Sequence, residues 1–422
     1  MTIDALKDQK IIIAGLGVNN QHLAAYLKNQ GIFFEVIENW TSLDELWDRL
    51  RGFDVIFRTP GLPYLSAPIQ KATKAGVTVS SQTKLFFDLC PCPIIGVTGT
   101  KGKGTTSSLI YQILQRSRKM KVWLAGNIGQ DPFEFIERIK PDHLVVLELS
   151  SFQLQDLHKS PHIAVVLNVG RDHIDETKTK IYAAHYSVSE YRDAKAQILI
   201  HQSAQDYAVL GEEVPQSYQT LGNAKKILAK TDSVNGFETQ LLGRHNLANI
   251  AAAVEVARLL KIEDDVIKLG VKEFRGLPFR LQDLGIKKGI RVINDGFSTN
   301  PEATMAAIKS FTAPLIIIIG GSNKGFDFEN LGALIKQSKN IKGAVVVGEE
   351  TPKILKQLAG FKGKVKSGAQ SMDKIVEQAF SLSKKGDTTV FSPGTASFDM
   401  FKNEKDRSEK FTKAVKKYAQ KA

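Results

Sequence analysis

Cysteine is nearly absent. The 422 residues hold two, Cys90 and Cys92, one position apart. Two are too few for a structural zinc site, and their spacing builds no disulfide framework, so the chain reads as a protein of a reducing compartment. Long apolar runs are missing as well: the strongest, such as 315–319, have strand length and fall far short of a membrane span. The N-terminal MTIDALKDQK is charged and lacks the apolar core of a secretory signal, which points to a soluble protein of the cytoplasm. No internal repeat or low-complexity tract appears. Acidic balance is lacking too. Lys and Arg total 57 against 44 Asp and Glu, a net charge of +13, which favours anionic partners such as nucleotides and acidic small molecules. The excess lies in scattered lysines and in the tail 413–421, with no arginine-rich run beside aromatics, so nucleic-acid binding is the weaker reading. A 42% apolar and 24% charged make-up is that of a globular protein. The length exceeds one compact core, and two or three domains are expected.

What is present is organised around 94–109, IIGVTGTKGKGTTSSL. A β-branched run stops at Gly99, a loop with Gly99, Gly102 and Gly104 around Lys101 and Lys103 follows, and a helical pattern resumes at Thr105. Strand, glycine-rich turn and helix N-terminus make a phosphate cradle, because backbone N–H groups and the helix dipole converge on the anion. Gly99, Thr100, Lys101, Gly102, Lys103, Gly104 and Thr105 are the candidate phosphate-binding residues, with Lys103 reaching the terminal phosphates. The strict P-loop pattern is only partly met, since Val97 and Gly104 stand where a Gly and a Ser or Thr belong.

On either side the pattern alternates strand and helix, the mark of an α/β protein. Residues 10–14 read as a buried strand leading into Gly15-Leu16-Gly17 and a helix, the opening of a Rossmann-type unit with Asn20 in place of the third glycine. Strands are predicted at 33–37, 55–58 and 77–80, and Pro91-Cys92-Pro93 makes a linker. Further on, 121–124 leads to the polar turn Gly126-Asn127-Ile128-Gly129, and 144–147 leads to Glu148 and then Ser150. A carboxylate ending a buried strand is where an NTPase places a Mg²⁺-directed acid. His173, after strand 163–167 and between Asp172 and Asp175, reads equally as a metal ligand or a structural histidine. Lys195 reads locally as an exposed helix lysine, and Asn246 and Asn249 as caps of an alanine-rich helix. Gly276-Leu277-Pro278 marks a second boundary. Beyond it, strands at 290–293, 315–319, 344–347, 365–367 and 388–391 end in polar loops that an open α/β sheet lines along one edge.

In order, the stretches GLG, TPG, GVTGTKGKGTT, AGNIG, ELSSFQL, NVGRDHID, YRDAK, GRHNLAN, GLPFR, INDGFSTNPEAT, GGSNKG and SPGTASFD resemble the Mur ligase family over essentially the whole chain. The resemblance implies three domains: a Rossmann-like UDP-substrate domain at 1–92, a central ATP-binding P-loop ATPase-type parallel sheet at 93–278, and a Rossmann-like amino-acid domain at 279–422. It implies ATP-dependent addition of D-glutamate to UDP-N-acetylmuramoyl-L-alanine through an acyl phosphate, by a monomer, in cytoplasmic peptidoglycan synthesis. Glu148 and His173 would each hold a Mg²⁺, with Thr105 as a further metal contact. Lys195 matches a lysine carbamylated by CO₂, which reverses its local reading. Lys103, Glu148, His173 and Lys195 would then be catalytic. Asn249 would meet adenine, and Arg280 and Asp295 the nucleotide phosphates and ribose. Gly17, Asn19, Thr59 and Gly61 would hold the uridine phosphate, with Asn127 and Ser150 as further substrate contacts, and Thr299, Lys324, Ser397 and Phe398 would recognise the amino acid. The family carries a Ser or Thr at Gly104, often a lysine at Phe297, and commonly an aromatic at Glu404. These departures leave open a sister ligase using another amino acid, or a non-catalytic nucleotide-binding homologue. A folylpolyglutamate synthase would be expected to lack the GLG/TPG domain.

Overall fold

The computed structural model describes residues 1–175 and 184–420; Lys421 of the basic tail lies outside them. Two compact units form, one of residues 1–238 and 247–273 and the other of 239–246 and 274–422. The first unit holds two sheets.

Strands β1 (Ile11–Ala14), β2 (Glu35–Ile37), β3 (Val55–Arg58) and β4 (Thr78–Ser81) pair in the order β2-β1-β3-β4, all parallel. The second sheet comprises β5 (Ile94–Thr98), β6 (Val122–Gly126), β7 (Leu144–Glu148), β8 (Ile163–Asn168), β9 (Tyr207–Glu213) and β10 (Lys225–Ala229). Its order is β10-β9-β8-β5-β7-β6, again all parallel. β5 and β7 are buried at every position, as strands covered on both faces must be, and they read as continuous apolar runs for that reason. One apolar core runs from Ile11, Ile13 and Phe57 through Phe86, Cys92 and Ile94 to Val145 and Leu147, so the first two sheets share a single buried mass. Each such side chain contributes roughly 1.5–3 kcal/mol.

The second unit holds β11 (Gln282–Lys287), β12 (Ile290–Asn294), β13 (Leu315–Gly320), β14 (Ile341–Val347), β15 (Lys364–Ser367) and β16 (Thr388–Phe391). They pair as β11-β12-β16-β13-β14-β15, with β11 antiparallel to β12 and the rest parallel. Apolar clusters cover both faces.

The sequence pattern shows neither β9 and β10 nor β11. β10 and β11 lie at sheet edges, where lysines and half-exposed positions break the apolar run. The strand predicted at 33–37 begins only at Glu35, because Phe33 is 91% exposed. The helix after the glycine loop is longer than the pattern shows, Lys103–Ser117.

In each sheet the strand order reverses beside one central strand: at β1 in the first, at β5 in the second, and around β16 in the third. Ligand crevices in open α/β sheets form at the C-terminal ends of strands at such reversals. The candidate residues cluster there.

Candidate active site

β5 ends at Thr98, and its loop turns into the helix Lys103–Ser117 through Gly102, a left-handed N-cap (φ 88°). A Cβ at Gly102 would stand 2.2 Å from Asn249 Oδ1, so glycine is required for close approach as well as for backbone angle. Asn249 thus lies against the loop, in the second turn of the helix His245–Leu259, and is not a cap. The loop is held from β8. Thr100 N–H donates to the Asn168 carbonyl (3.0 Å), Lys101 N–H to Asn168 Oδ1 (2.9 Å), and Gly170 N–H to Thr100 Oγ1 (2.8 Å). In the first turns of the following helix, beside half-buried Gly104 and Thr105, the Thr106 and Ser107 hydroxyls are buried without a hydrogen-bond partner among the described residues.

Two lysines converge on one carbonyl. Lys103 Nζ donates to Gly99 O (3.0 Å) and Thr100 O (3.2 Å), and Lys195 Nζ donates to the same Gly99 O (2.9 Å) and to Thr98 Oγ1 (3.4 Å). Lys195 is 1% exposed, which overturns the local reading of an exposed helix lysine. Its helix, Val188–Ile200, turns Tyr191, Ala194, Ile198 and Leu199 inward, and Lys195 lies on that face with its ammonium 4.8 Å from the Tyr191 ring centre. Burial, with repulsion from Lys103, pushes the Lys195 amine down to about 7, against partial compensation from Asp172 and Glu148. A lysine that is neutral near physiological pH is a nucleophile.

Glu148, 5% exposed, ends β7, and Gly126 packs on it so closely that a Cβ would stand 2.1 Å from the Glu148 carbonyl oxygen. Asn127 Nδ2 and Ser150 N–H both donate to Gln153 Oε1 (3.1 and 2.9 Å), while the Ser150 hydroxyl accepts from Gln153 N–H. Asn127, Glu148 and Ser150 therefore share one corner. His173, with a left-handed backbone (φ 54°), packs edge-on to Phe152 (5.4 Å), which stacks on His185 (4.6 Å).

His185 carries a signal that the sequence hides. Its ring joins Ser151 Oγ (Nε2, 2.8 Å) to Glu190 Oε1 (Nδ1, 3.3 Å), and its backbone N–H donates to the His173 carbonyl (2.8 Å). The strand end at Glu148, the His173 turn and the Lys195 helix are thereby linked. Burial pushes the imidazole below its ordinary range, opposed by Glu190.

Among the described residues no three His, Cys, Asp or Glu side chains form a metal-binding group. The metal ligands expected from the sequence, Glu148 and His173, are two, and a carbamylated Lys195 would add an oxygen donor to them.

At the first sheet's reversal, Thr59 N–H donates to the Ala14 carbonyl (2.9 Å), and Gly17 adjoins the Thr59 hydroxyl. Gly61 lies in the turn closed by Leu62 N–H to Thr59 O (3.0 Å). The Asn19 carbonyl accepts from Gln82 (2.6 Å), and Asn20 Nδ2 donates to Gly15 O (2.7 Å), so Asn20 ties the turn that a third glycine would have opened.

In the second unit, Arg280 sits between Phe279 and Leu281, both left-handed (φ 64° and 47°). Buried Asp295 holds this turn, accepting from Leu281 N–H (3.0 Å), Ser392 Oγ (2.8 Å) and Ser298 Oγ. Burial raises its carboxyl above the ordinary range, opposed by those hydroxyl donors. Phe297 stacks on Phe279 (5.6 Å), and the Arg280 guanidinium lies 5.4 Å from the Phe297 ring centre. Lys324 is exposed, Thr299 half-buried, and Phe398 64% exposed. Ser397 Oγ is buried without a partner among the described residues. The Lys324 and Ser397 loops are tied by Thr395 Oγ1 to Ser322 O (2.6 Å) and Phe398 N–H to Ser322 Oγ (2.9 Å). Arg407, 2% exposed, binds the carbonyls of Thr395 (3.0 Å), Ala396 (2.9 Å) and Gly296 (2.9 Å), joining the Asp295 and Ser397 loops. No sequence motif singles it out.

Sheet order, a glycine loop at the reversal and the pairing of half-buried Lys103 with buried Lys195 beside it define a phosphate-loop α/β protein. Comparison with known proteins narrows the class. The Mur ligase middle domain matches residues 97–230, and the Mur ligase, glutamate ligase domain matches 279–394. The UDP-N-acetylmuramoylalanine--D-glutamate ligase of Acetivibrio thermocellus is 32% identical over 97% of both chains. That of Symbiobacterium thermophilum is 32% identical over 96% of this chain and 98% of its own. Among solved structures, the MurF ligase of Thermotoga maritima in complex with ADP superposes with a TM-score of 0.61 at 18% identity, covering 99% of this chain and 97% of its own. The chain belongs to the Mur ligase family and is an ATP-dependent ligase that forms amide bonds. No helix among the described residues is long and apolar enough to cross a membrane.

Proposed function

We propose that this chain joins D-glutamate to UDP-N-acetylmuramoyl-L-alanine, with ATP consumed to activate the acceptor's carboxylate as an acyl phosphate, in the cytoplasm and as a monomer. The observation that carries the reading is the convergence of Lys103 and Lys195 on the Gly99 carbonyl, beside Glu148 and inside a phosphate loop. Relatives named for this reaction, similar over nearly the whole chain, support it.

A carboxylate is a poor acyl donor until phosphorylation gives it a good leaving group, so charge stabilisation on the transferring phosphoryl group is the main task. Residues Gly99–Thr105 cradle the phosphates with backbone N–H groups, and Lys103 leaves its carbonyl partners for the terminal phosphates. Asn249 meets the base, and Arg280 and Asp295 the phosphates and ribose. When bound, Mg²⁺ supplies positive charge that neutralises the phosphoryl oxygens. Glu148 would hold one such ion and His173 a second, with carbamylated Lys195 as an oxygen ligand and Thr105 in the place left by Gly104. Carbamylation turns a cation repelled by Lys103 into an anion attracted by it. Gly17, Asn19, Thr59 and Gly61 hold the uridine phosphate, and Asn127 and Ser150 orient the acceptor. Lys324 and the orphaned Ser397 hydroxyl receive the carboxylates of the amino acid, with Thr299 and Phe398 shaping its site.

Phe297 stands in for a lysine by presenting Arg280. A cation over an exposed aromatic face is worth about 0.5–1 kcal/mol. Phe297→Ala is therefore expected to raise the KM for ATP by roughly threefold with the KM for D-glutamate unchanged, and Phe297→Tyr to behave as wild type. A selective rise in the D-glutamate KM would instead put Phe297 in the amino-acid site.

The proposal as a whole is tested by phosphate release with ATP, Mg²⁺ and UDP-N-acetylmuramoyl-L-alanine over a panel of D- and L-amino acids. Release that depends on D-glutamate supports it. Release with another amino acid would move the specificity, and silence with all of them would remove the catalytic reading.

A further inference from the structure

The chain's two cysteines flank Pro91 at the join between the first two sheets. Cys90 is the C-cap of the helix Gln82–Leu89, and Cys92 lies two residues before β5, whose far end carries the phosphate loop. Their sulfurs stand 3.7 Å apart. Cys90 is half-buried and Cys92 is 3% exposed, packed in the shared core. A disulfide has sulfurs about 2.05 Å apart, so closing the pair needs an approach of roughly 1.7 Å. Side-chain rotation and adjustment of a short connecting segment can supply that. The sequence holds no other thiol to compete.

We propose that Cys90-Pro91-Cys92 is a dithiol oxidation site that closes to an intramolecular disulfide on reaction with a low-molecular-weight disulfide such as oxidised glutathione. The Cys90 thiolate, the less buried of the two, attacks one sulfur of the oxidant. A mixed disulfide forms and one glutathione leaves as its thiolate, taking a proton from solvent. The Cys92 thiolate, its proton lost to solvent, then attacks Cys90 Sγ and expels the second glutathione. Two protein thiols are oxidised and one glutathione disulfide is reduced to two thiols. The Cys92 thiol, within reach to donate to Cys90 sulfur, holds Cys90 below the ordinary thiol range and favours it as the attacking group. Thiolates attack far faster than thiols, and a neighbouring second thiol makes resolution intramolecular. In a reducing compartment the pair rests as thiols.

The test treats the full chain with oxidised glutathione, blocks residual thiols by alkylation, and reads the intact mass. The expected product is lighter than the reduced chain by two hydrogens, carries neither glutathione nor alkyl group, and reverts with dithiothreitol. Cys92→Ser, or Cys92→Ala should the serine variant not fold, is expected to stop at a glutathione adduct on Cys90. Cys90→Ser is expected to stay unmodified. A wild-type chain that keeps two alkylatable thiols, or halts at the mixed disulfide, would overturn the proposal. So would an adduct on Cys92 in Cys90→Ser.

Discussion

Lys195→Met is expected to abolish turnover and to stabilise the fold. The fall in kcat is expected to be about 10³-fold, the scale of losing one group that stabilises transition-state charge. Stability moves the other way. Lys195 has a folded pKa of about 7 against an ordinary 10.5, so the unfolded chain binds its proton more readily. The penalty is absent above the unfolded value, grows as pH falls through the window between the two, and is fully present below about 7. At 1.36 kcal/mol per unit it is on the order of 5 kcal/mol. Losing the bonds to Gly99 O and Thr98 Oγ1 gives back about 1 kcal/mol each. Urea unfolding in CO₂-free buffer at pH 6 and pH 10 checks the sign: the variant should exceed wild type at the lower pH and lose that advantage at the higher. Bicarbonate should raise wild-type activity most above pH 7, where the amine is neutral, and small carboxylates should restore part of the activity of Lys195→Ala. A Lys195→Ala enzyme with full activity, indifferent to bicarbonate, would remove the carbamate from the mechanism.

Arg58→Met is expected to cost about 3–5 kcal/mol, because it strips one partner from a buried ion pair. Arg58, fully buried at the end of β3, pairs with Asp156, which is 2% exposed. It also donates to the carbonyls of Leu62 (3.0 Å) and Phe152 (2.9 Å). One guanidinium thus ties the Thr59–Leu62 turn to the segment after Ser150. Lys84, 3.5 Å from Asp156, remains in the variant and compensates only in part. Asp156→Leu combined with Arg58→Met should recover part of the loss, since a buried charge is no longer left alone. A single-variant shift below about 1 kcal/mol in urea unfolding would show that the pair is not held in a low-dielectric setting.

Lys195 and Arg58 also mark where the sequence could and could not be read. β5, β7 and β13 are legible because a strand buried on both faces must be a continuous apolar run. Glycine loops at the ends of β5 and β13 are legible because left-handed turns demand glycine. Edge strands β10 and β11 escape notice because their lysines and glycine serve solvent and a bulge. Local reading also put Lys195 at the surface, although its position has an audible signal. It stands four residues after Tyr191 and four before Leu199, on the apolar stripe of its own helix. Arg407 has the same signature four residues before Phe411 in the helix Glu404–Gln420. A charge inside an apolar stripe points to a buried polar task. His185 carries no such mark: its partners Ser151 and Glu190 lie on different segments, and only the fold joins them.

The most direct measurement uses UDP-N-acetylmuramoyl-L-alanine with heavy oxygen in its terminal carboxylate, incubated with ATP, Mg²⁺ and D-glutamate. Activation through an acyl phosphate predicts that each inorganic phosphate released carries one labelled oxygen, while the new amide keeps the other. Phosphate without label, alongside amide product, would contradict the account.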